Sequence, residues 1–393
     1  MAAPASQRHY GMDWLRIGAF GLLILFHVGL MFAPWNFPKE IRPDFEWVMV
    51  PLVFTNAWRL SLLFAISGYA SAALLARENK VVDFLKSRLV RLGIPLLFGI
   101  AFITSPQSYA ELTRNHGYEH GFGYFLLHDY FSFQQIDGVT VPAWIHLWFV
   151  GYLLAYTFVL GAFWALPAGV RSGLRGMAEK VLATAWLIPI GIVAVFLARL
   201  LPPGWSDTHA FFDDGGAHAV YLPTFLFGAL LRRSELLRLA IVRQWPVGLA
   251  LGLVAYAIVA VLQFRYVNTA RMPVELYWSF LVARAVQSWG MIIALFGIAE
   301  RYWNRDGAWR ATLAEAVFPF YIVHQTIVIL VGFWISQFAL GAPVEFAILI
   351  AATVVGCWAF YLIGREIGPL RPLIGLTRHK RVHAKRGAAV PAE

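Results

Sequence analysis

The sequence predicts an all-α fold, a polytopic membrane helical bundle of about ten spans with both termini cytoplasmic. Three observations carry that reading. Hydrophobic side chains make up 59% of the 393 residues and charged ones only 14%, whereas soluble domains carry roughly a quarter. Apolar runs approaching the roughly 20 residues that cross a bilayer recur along the whole chain. Basic residues fall in every second inter-run segment, as the positive-inside rule requires.

In order, the expected spans are 13–34, 52–76, 89–106, 144–167, 181–201, 218–231, 245–264, 277–299, 313–338 and 344–364. The sixth is short, and the third contains Pro95. Between them, Arg77, Lys80, Lys86, Arg88 and Arg91, then Arg171, Arg175 and Lys180, then Arg232, Arg233, Arg238 and Arg243 lie on one side; Lys39, Arg42, Arg114, Arg265 and Arg271 lie on the other. The net charge of +10 is therefore a statement of topology, and a nucleic-acid partner is not expected. The first run is too long for a signal-peptide core and lacks a small-x-small site, so it is expected to be retained. Cys357 is the only cysteine, which excludes an internal disulfide. One domain over 1–376 is expected, followed by a basic, disordered tail over 377–393. The segments 107–143 and "PPGWSDTHAFFDDGGAHA" read as outer loops, the former rich in interfacial aromatics.

Ionisable residues inside spans are costly and mark function. Arg16 and His27, at about 100° per residue, fall on one helix face about 16 Å apart along the axis, with Asp13 near the same stripe. Both are expected to project into a common protein-lined passage. Arg59 in the second span falls at the depth of His27. Ser67, Gly68 and Tyr69 read equally as a packing seam or a substrate contact. Arg88 and Arg91, three apart, put two guanidiniums on one side of a helix, suited to phosphate. His146 and Trp148 open the fourth span, Tyr321 and His324 lie deep in the ninth, and Arg284 deep in the eighth. There is no phosphate-binding glycine loop, dinucleotide fingerprint or metal-ligand spacing. The chemistry on offer is a histidine base with arginines to hold an anion or an oxyanion.

Arg16 with His27, the Ser67–Gly68 pair, the Arg88/Arg91 pair, "HLWF" at 146–149 and "FPFYIVH" at 318–324 resemble, in order, the acyltransferase 3 family of integral membrane acyltransferases. "QRHYGMDWLRI", "FAISGYASA", "YLPTFLFGALL" and "IGPLRPLIGL" look most like its glucan-modifying, succinyl-transferring branch. The resemblance covers 9–376 and implies an inner-membrane O-acyltransferase. It implies an acyl-CoA donor (succinyl-CoA or acetyl-CoA), no bound cofactor or metal, and a periplasmic glucan or other glycan acceptor, with glucan synthesis machinery as a possible partner. His27, Arg16 and Arg59 are then the expected catalytic set, with Arg88, Arg91, Ser67 and Tyr69 on the donor. His146, Trp148, Tyr321, His324, Arg284 and Asp13 would serve the acceptor or support the others. The competing expectation is a secondary transporter exporting a small anion.

Overall fold

The structure, a computed structural model, describes residues 9–33, 46–78, 80–201, 207–266 and 271–377. The expected basic tail therefore lies, apart from Thr377, outside the described residues, as do Lys39 and Arg42. Sixteen α segments are present, of which the long ones are bundled. α1 (Tyr10–Leu30) is followed by α2 (Met49–Asn56) and α3 (Arg59–Leu75), which bend by 44° at their junction. α4 (Val81–Arg88), α5 (Ile94–Phe98) and α6 (Ser105–Asn115) are joined by π turns at Leu89–Gly93 and Gly99–Ile103 into one run. The run Val81–Asn115 is longer than the expected 89–106, because the π turns on either side of Pro95 absorb the break a proline would otherwise make.

A short outer layer follows: α7 (Phe122–Tyr124), then the antiparallel hairpin β1 (Gln134–Ile136) and β2 (Val139–Val141). Its turn, Asp137–Gly138, has φ of 48° and 85°, the left-handed pair that Asp-Gly supplies cheaply. Thr104 fastens this layer to the third span, donating to the Ala143 carbonyl (2.7 Å). The bundle resumes with α8 (Trp148–Ala165), α9 (Ala168–Leu182), α10 (Leu187–Ala198), α11 (Gly215–Arg233), α12 (Glu235–Arg265), α13 (Val274–Tyr302), α14 (Arg310–Ile335), α15 (Ala342–Glu366) and the short α16 (Leu370–Leu373). Ser234 caps α12 by accepting from the Leu237 amide.

Among the described residues seven helical runs are long and apolar enough to cross a membrane, nine if the bent pairs α2–α3 and α9–α10 each count as one. The expected sixth span lies inside α11, which His218, Tyr221 and Thr224 make less apolar than the others. The expected fifth span is cut short: α10 holds only 12 residues, and α9 turns away from it by 105°. Of the seven unbroken runs, those of α13 and α14 are the most enclosed, with 72% of their apolar windows buried, while α15, at 22%, stands at the rim. α14 packs against α1 on one side and α15 on another.

Candidate active site

α1 and α14 run side by side in the same direction. Near their starts Arg16 donates to the Ala314 carbonyl (2.9 Å), and three turns further His27 meets His324, Nδ1 to Nε2 at 3.2 Å. Both side chains of the predicted stripe therefore turn to the same neighbour, as their angular spacing requires.

The hydrogen bonds determine the tautomers. A carbonyl only accepts, so His324 Nδ1, 2.7 Å from the Tyr321 oxygen, carries a proton and leaves Nε2 as acceptor. His27 Nδ1 lies 2.9 Å from the Leu23 carbonyl and faces that acceptor, so it also carries a proton. The basic lone pair of neutral His27 is consequently on Nε2. His324 is fully buried, whereas His27 is half-buried and reaches a cavity. Of the pair, His27 is the member that lines the cavity.

His146 supplies a third imidazole, its ring centroid 5.2 Å from that of His324. Its Nε2 donates to the Ile322 carbonyl (2.9 Å), and its own carbonyl accepts from the Tyr321 hydroxyl. Two bonds thus pin the start of α8 to α14, and His146 Nδ1 is buried without a partner among the described residues. Beside them Gln107 donates to Thr326 (2.7 Å), which donates to the Ile103 carbonyl (2.7 Å). These residues tie the end of the second π turn to α14.

The cavity measures ≈ 890 Å³. His27, His146 and Gln325 form its polar floor; Phe131, Phe133, Trp144 and Trp148 form aromatic walls. His209, from the segment before α11, stacks on Trp148 at 4.3 Å with φ of 58°, and Trp144 Nε1 donates to its carbonyl (3.1 Å). That face of Trp148 is covered, so the open ring surfaces are those of its neighbours. Buried Asp214 pins the segment, accepting from the Thr208 and His209 amides (3.2 and 3.1 Å) and from Tyr152 (2.7 Å). Burial pushes the His209 imidazole below its ordinary pKa, with Asp207 and Asp214 opposing.

Arg59 begins α3 and is only 4% exposed, its guanidinium carbon 3.4 Å from the centre of the Phe26 ring. Nε and Nη1 have no hydrogen-bond partner among the described residues, and its field reaches His27, in keeping with the shared depth expected from the sequence. Arg59 also feels Tyr221 and Asp207, and Arg284 shares those two neighbours. Arg284 lies near Arg199 too, where Arg199 donates to Asp207 (2.5 Å) and Tyr221 donates to the same carboxylate.

At the basic end, Asp13 pairs with Arg310 (2.7 Å) and more distantly with Arg16 (3.9 Å). Arg88 is half-buried and Arg91 exposed, since the π turn that starts at Leu89 changes the winding between them. Arg91 feels the charge of Glu315, the residue after the carbonyl that holds Arg16, so both converge on the start of α14. Ser67 and Tyr69 are elsewhere. Gly68 is pressed against the Phe225 carbonyl of α11, and Tyr69 faces a small pocket with Arg238 and Glu300.

One expectation needs correction: the stripe from Arg16 to His27 is not an open passage. Phe20 sits on it and meets Tyr321 edge-to-face at 5.7 Å, and Phe149 meets Tyr321 edge-to-face as well, at 5.9 Å. Spacing tells which face of a helix a residue takes, but the rings of neighbouring helices decide whether that face is empty. Sequence reasoning also passed over Gln107, Gln325, His209 and Asp214; the only signals were the polar "TSPQS" in an apolar run and the acidic, Gly-rich outer segment. Among the described residues no group of three His, Cys, Asp or Glu side chains is placed to hold a metal.

A family described as "Acyltransferase domain" matches residues 9–362. The protein named "Glucans biosynthesis protein C" from Salmonella gallinarum is 24% identical over 359 residues, 86% of each chain, and that of Salmonella schwarzengrund is 25% identical over the same share. No solved structure matches. With the match running through nearly every span and through the helices that carry the paired histidines, the chain belongs to this family and is a multi-pass membrane acyltransferase.

Proposed function

We propose that the chain transfers an acyl group, succinyl or acetyl, from cytoplasmic acyl-CoA to a hydroxyl of a periplasmic glucan or related cell-envelope glycan, working in the inner membrane with both termini in the cytoplasm. The observation that carries this reading is the His27–His324 pair, with its protons on the Nδ1 atoms, at the floor of an aromatic-walled cavity. The basic end would face the cytoplasm, where Arg16, Arg88 and Arg91 suit the donor's phosphates. A sugar would enter from the opposite face, its ring against Phe131, Phe133 or Trp144. The relatives' printed name points to a glucan.

In the reaction His27 Nε2 takes the hydroxyl proton as the sugar oxygen bonds to the thioester carbonyl carbon. The C–S bond then breaks, and the proton passes from His27 to the departing thiolate. While His27 is protonated, its Nδ1–H is held by the Leu23 carbonyl and the His324 lone pair. Arg59, the cation whose field reaches this histidine, is suited to the developing oxyanion. The rings of Phe20 and Tyr321 must part for the donor arm to reach His27, so acyl-CoA binding is coupled to motion between α1 and α14.

The test is transfer of a labelled acyl group from acyl-CoA to glucan by the purified protein, followed by mass spectrometry of the product. His27→Ala is expected to lower the rate by about 10²–10⁴-fold with an unchanged elution profile. Full activity in His27→Gln would overturn the assignment.

A further inference from the structure

A second cavity, of ≈ 400 Å³, opens at the arginine-rich end between α3, α8, α9 and α11, apart from the residues placed at the donor and acceptor sites. Its walls are apolar, built from Ala72, Leu160, Phe163, Leu226 and Leu230 among others, and its mouth carries Arg171, Arg175 and Arg233. The guanidiniums of Arg171 and Arg233 lie over the Trp164 ring, at 4.4 and 4.0 Å, which holds them toward the opening. Among the described residues, the acidic partner at this mouth is Glu179, 3.6 Å from Arg175. Arg171 Nε is buried with no hydrogen-bond partner among the described residues.

α9 shows what environment the mouth faces. It turns from α10 by 105° and exposes Val170, Leu174, Met177 and Val181, one helical stripe at steps of four, three and four. The adjacent stripe, Ala168, Arg171, Arg175 and Ala178, lines the cavity together with Ser172 and with Leu174, which stands at the border of the two stripes. A helix with that pair of stripes lies in the bilayer interface, so the cavity opens among lipid headgroups and not into free solution.

We propose that this slot holds one anionic phospholipid of the arginine-bearing leaflet, its phosphate against Arg171, Arg175 and Arg233 and part of its chain along the apolar wall. Apolar depth and a cationic mouth together select an amphiphile; neither a free phosphate nor a neutral lipid uses both.

The experiment is native mass spectrometry of the full-length protein in neutral detergent with added phosphatidylglycerol or phosphatidylethanolamine of identical chains. One phosphatidylglycerol should be retained per protein in preference to phosphatidylethanolamine. The variant carrying Arg171→Gln, Arg175→Gln and Arg233→Gln should lose that preference by about a hundredfold. Ala178→Trp, which fills the slot and keeps the arginines, should release the lipid as well. Equal retention of the two lipids by the unmodified protein would overturn the proposal, as would retention of phosphatidylglycerol by both variants. Displacement by inorganic phosphate or by acyl-CoA would overturn it too, by making the slot a site for a soluble phosphate.

Discussion

Two helix seams in this molecule solve opposite problems. Between α3 and α11, Gly68 and Gly228 bring backbone against backbone, so that a Cβ on either would collide with a carbonyl of the facing helix, at Phe225 or Ala65. Between α1 and α14, large rings hold the helices apart and polar groups cross the gap: Arg16 to Ala314 and His27 to His324. In a bilayer, where lipid is as apolar as leucine, small residues make a tight and dry association. Chemistry needs the other kind of seam, because an imidazole must keep both a partner and an open side. The first seam is packed backbone to backbone, and the second carries the candidate site.

The largest effect should come from closing that contrast at the tight seam. Gly68→Val has nowhere to put its side chain, and the opposing atoms are backbone, so we expect a loss beyond about 4 kcal/mol and little protein recovered from membranes. Gly18→Ala on α1, where a Cβ would meet nothing within 4 Å, should instead stabilise by about 0.5–1 kcal/mol. Thermal melts of the two variants separate packing from mere helix propensity; a Gly68→Val protein that melts normally would dismiss the seam as drawn.

At the open seam, Phe20→Ala removes the ring that meets Tyr321 and should cost roughly 3–5 kcal/mol in stability. It should also let water reach His27, so hydrolysis of acyl-CoA without acceptor should rise relative to transfer. If hydrolysis stays flat while transfer falls, the ring is packing alone and not a closure. His324→Ala should keep the fold and slow transfer by about tenfold or more, the worth of a hydrogen bond to a group that becomes charged. His324→Gln can still accept from His27 Nδ1–H through its amide oxygen, so it should recover part of that loss. Equal rates for the two variants would remove His324 from the mechanism.

How much of this was legible in the sequence depended on whether a residue's role is set within its own helix. Arg16 and His27 share a face because of the 3.6-residue repeat, and Arg59 shares a depth with His27 because helical rise is constant. Both relations are internal to α1 and α3, and both are recognisable before any fold is known. The plug of Phe20, Tyr321 and Phe149 comes from three helices and has no linear signal. Nor do the π turns at Leu89–Gly93 and Gly99–Ile103, which leave Arg88 half-buried and Arg91 exposed. The Ser67–Gly68–Tyr69 stretch showed small residues but not which helix they meet, and the structure gives α11. The hairpin was not expected: the segment 107–143 read only as an aromatic outer loop, although Asp137–Gly138 is the dipeptide that suits its turn.

The smallest effect tests the outer wall of the open seam. His209 is held at φ 58° between Trp148 and the Asp214 anchor, and burial keeps its imidazole below the ordinary pKa near 6.5. In the unfolded chain that histidine takes up a proton as pH falls through about 6.5, whereas in the fold it resists, so the folded state binds fewer protons. Stability of the segment 207–214 is therefore intact above that pH and declines below it until the depressed folded pKa is reached. Asp207 and Asp214 soften the decline because they favour the charged ring. Hydrogen exchange across 207–214, corrected for intrinsic rates, should show weaker protection at pH 5.5 than at pH 7.5. His209→Asn tolerates the left-handed backbone and cannot titrate, so its protection should be flat over the same range. A slope that persists in His209→Asn would move the pH response to the carboxylates and leave His209 as a lid held by stacking alone.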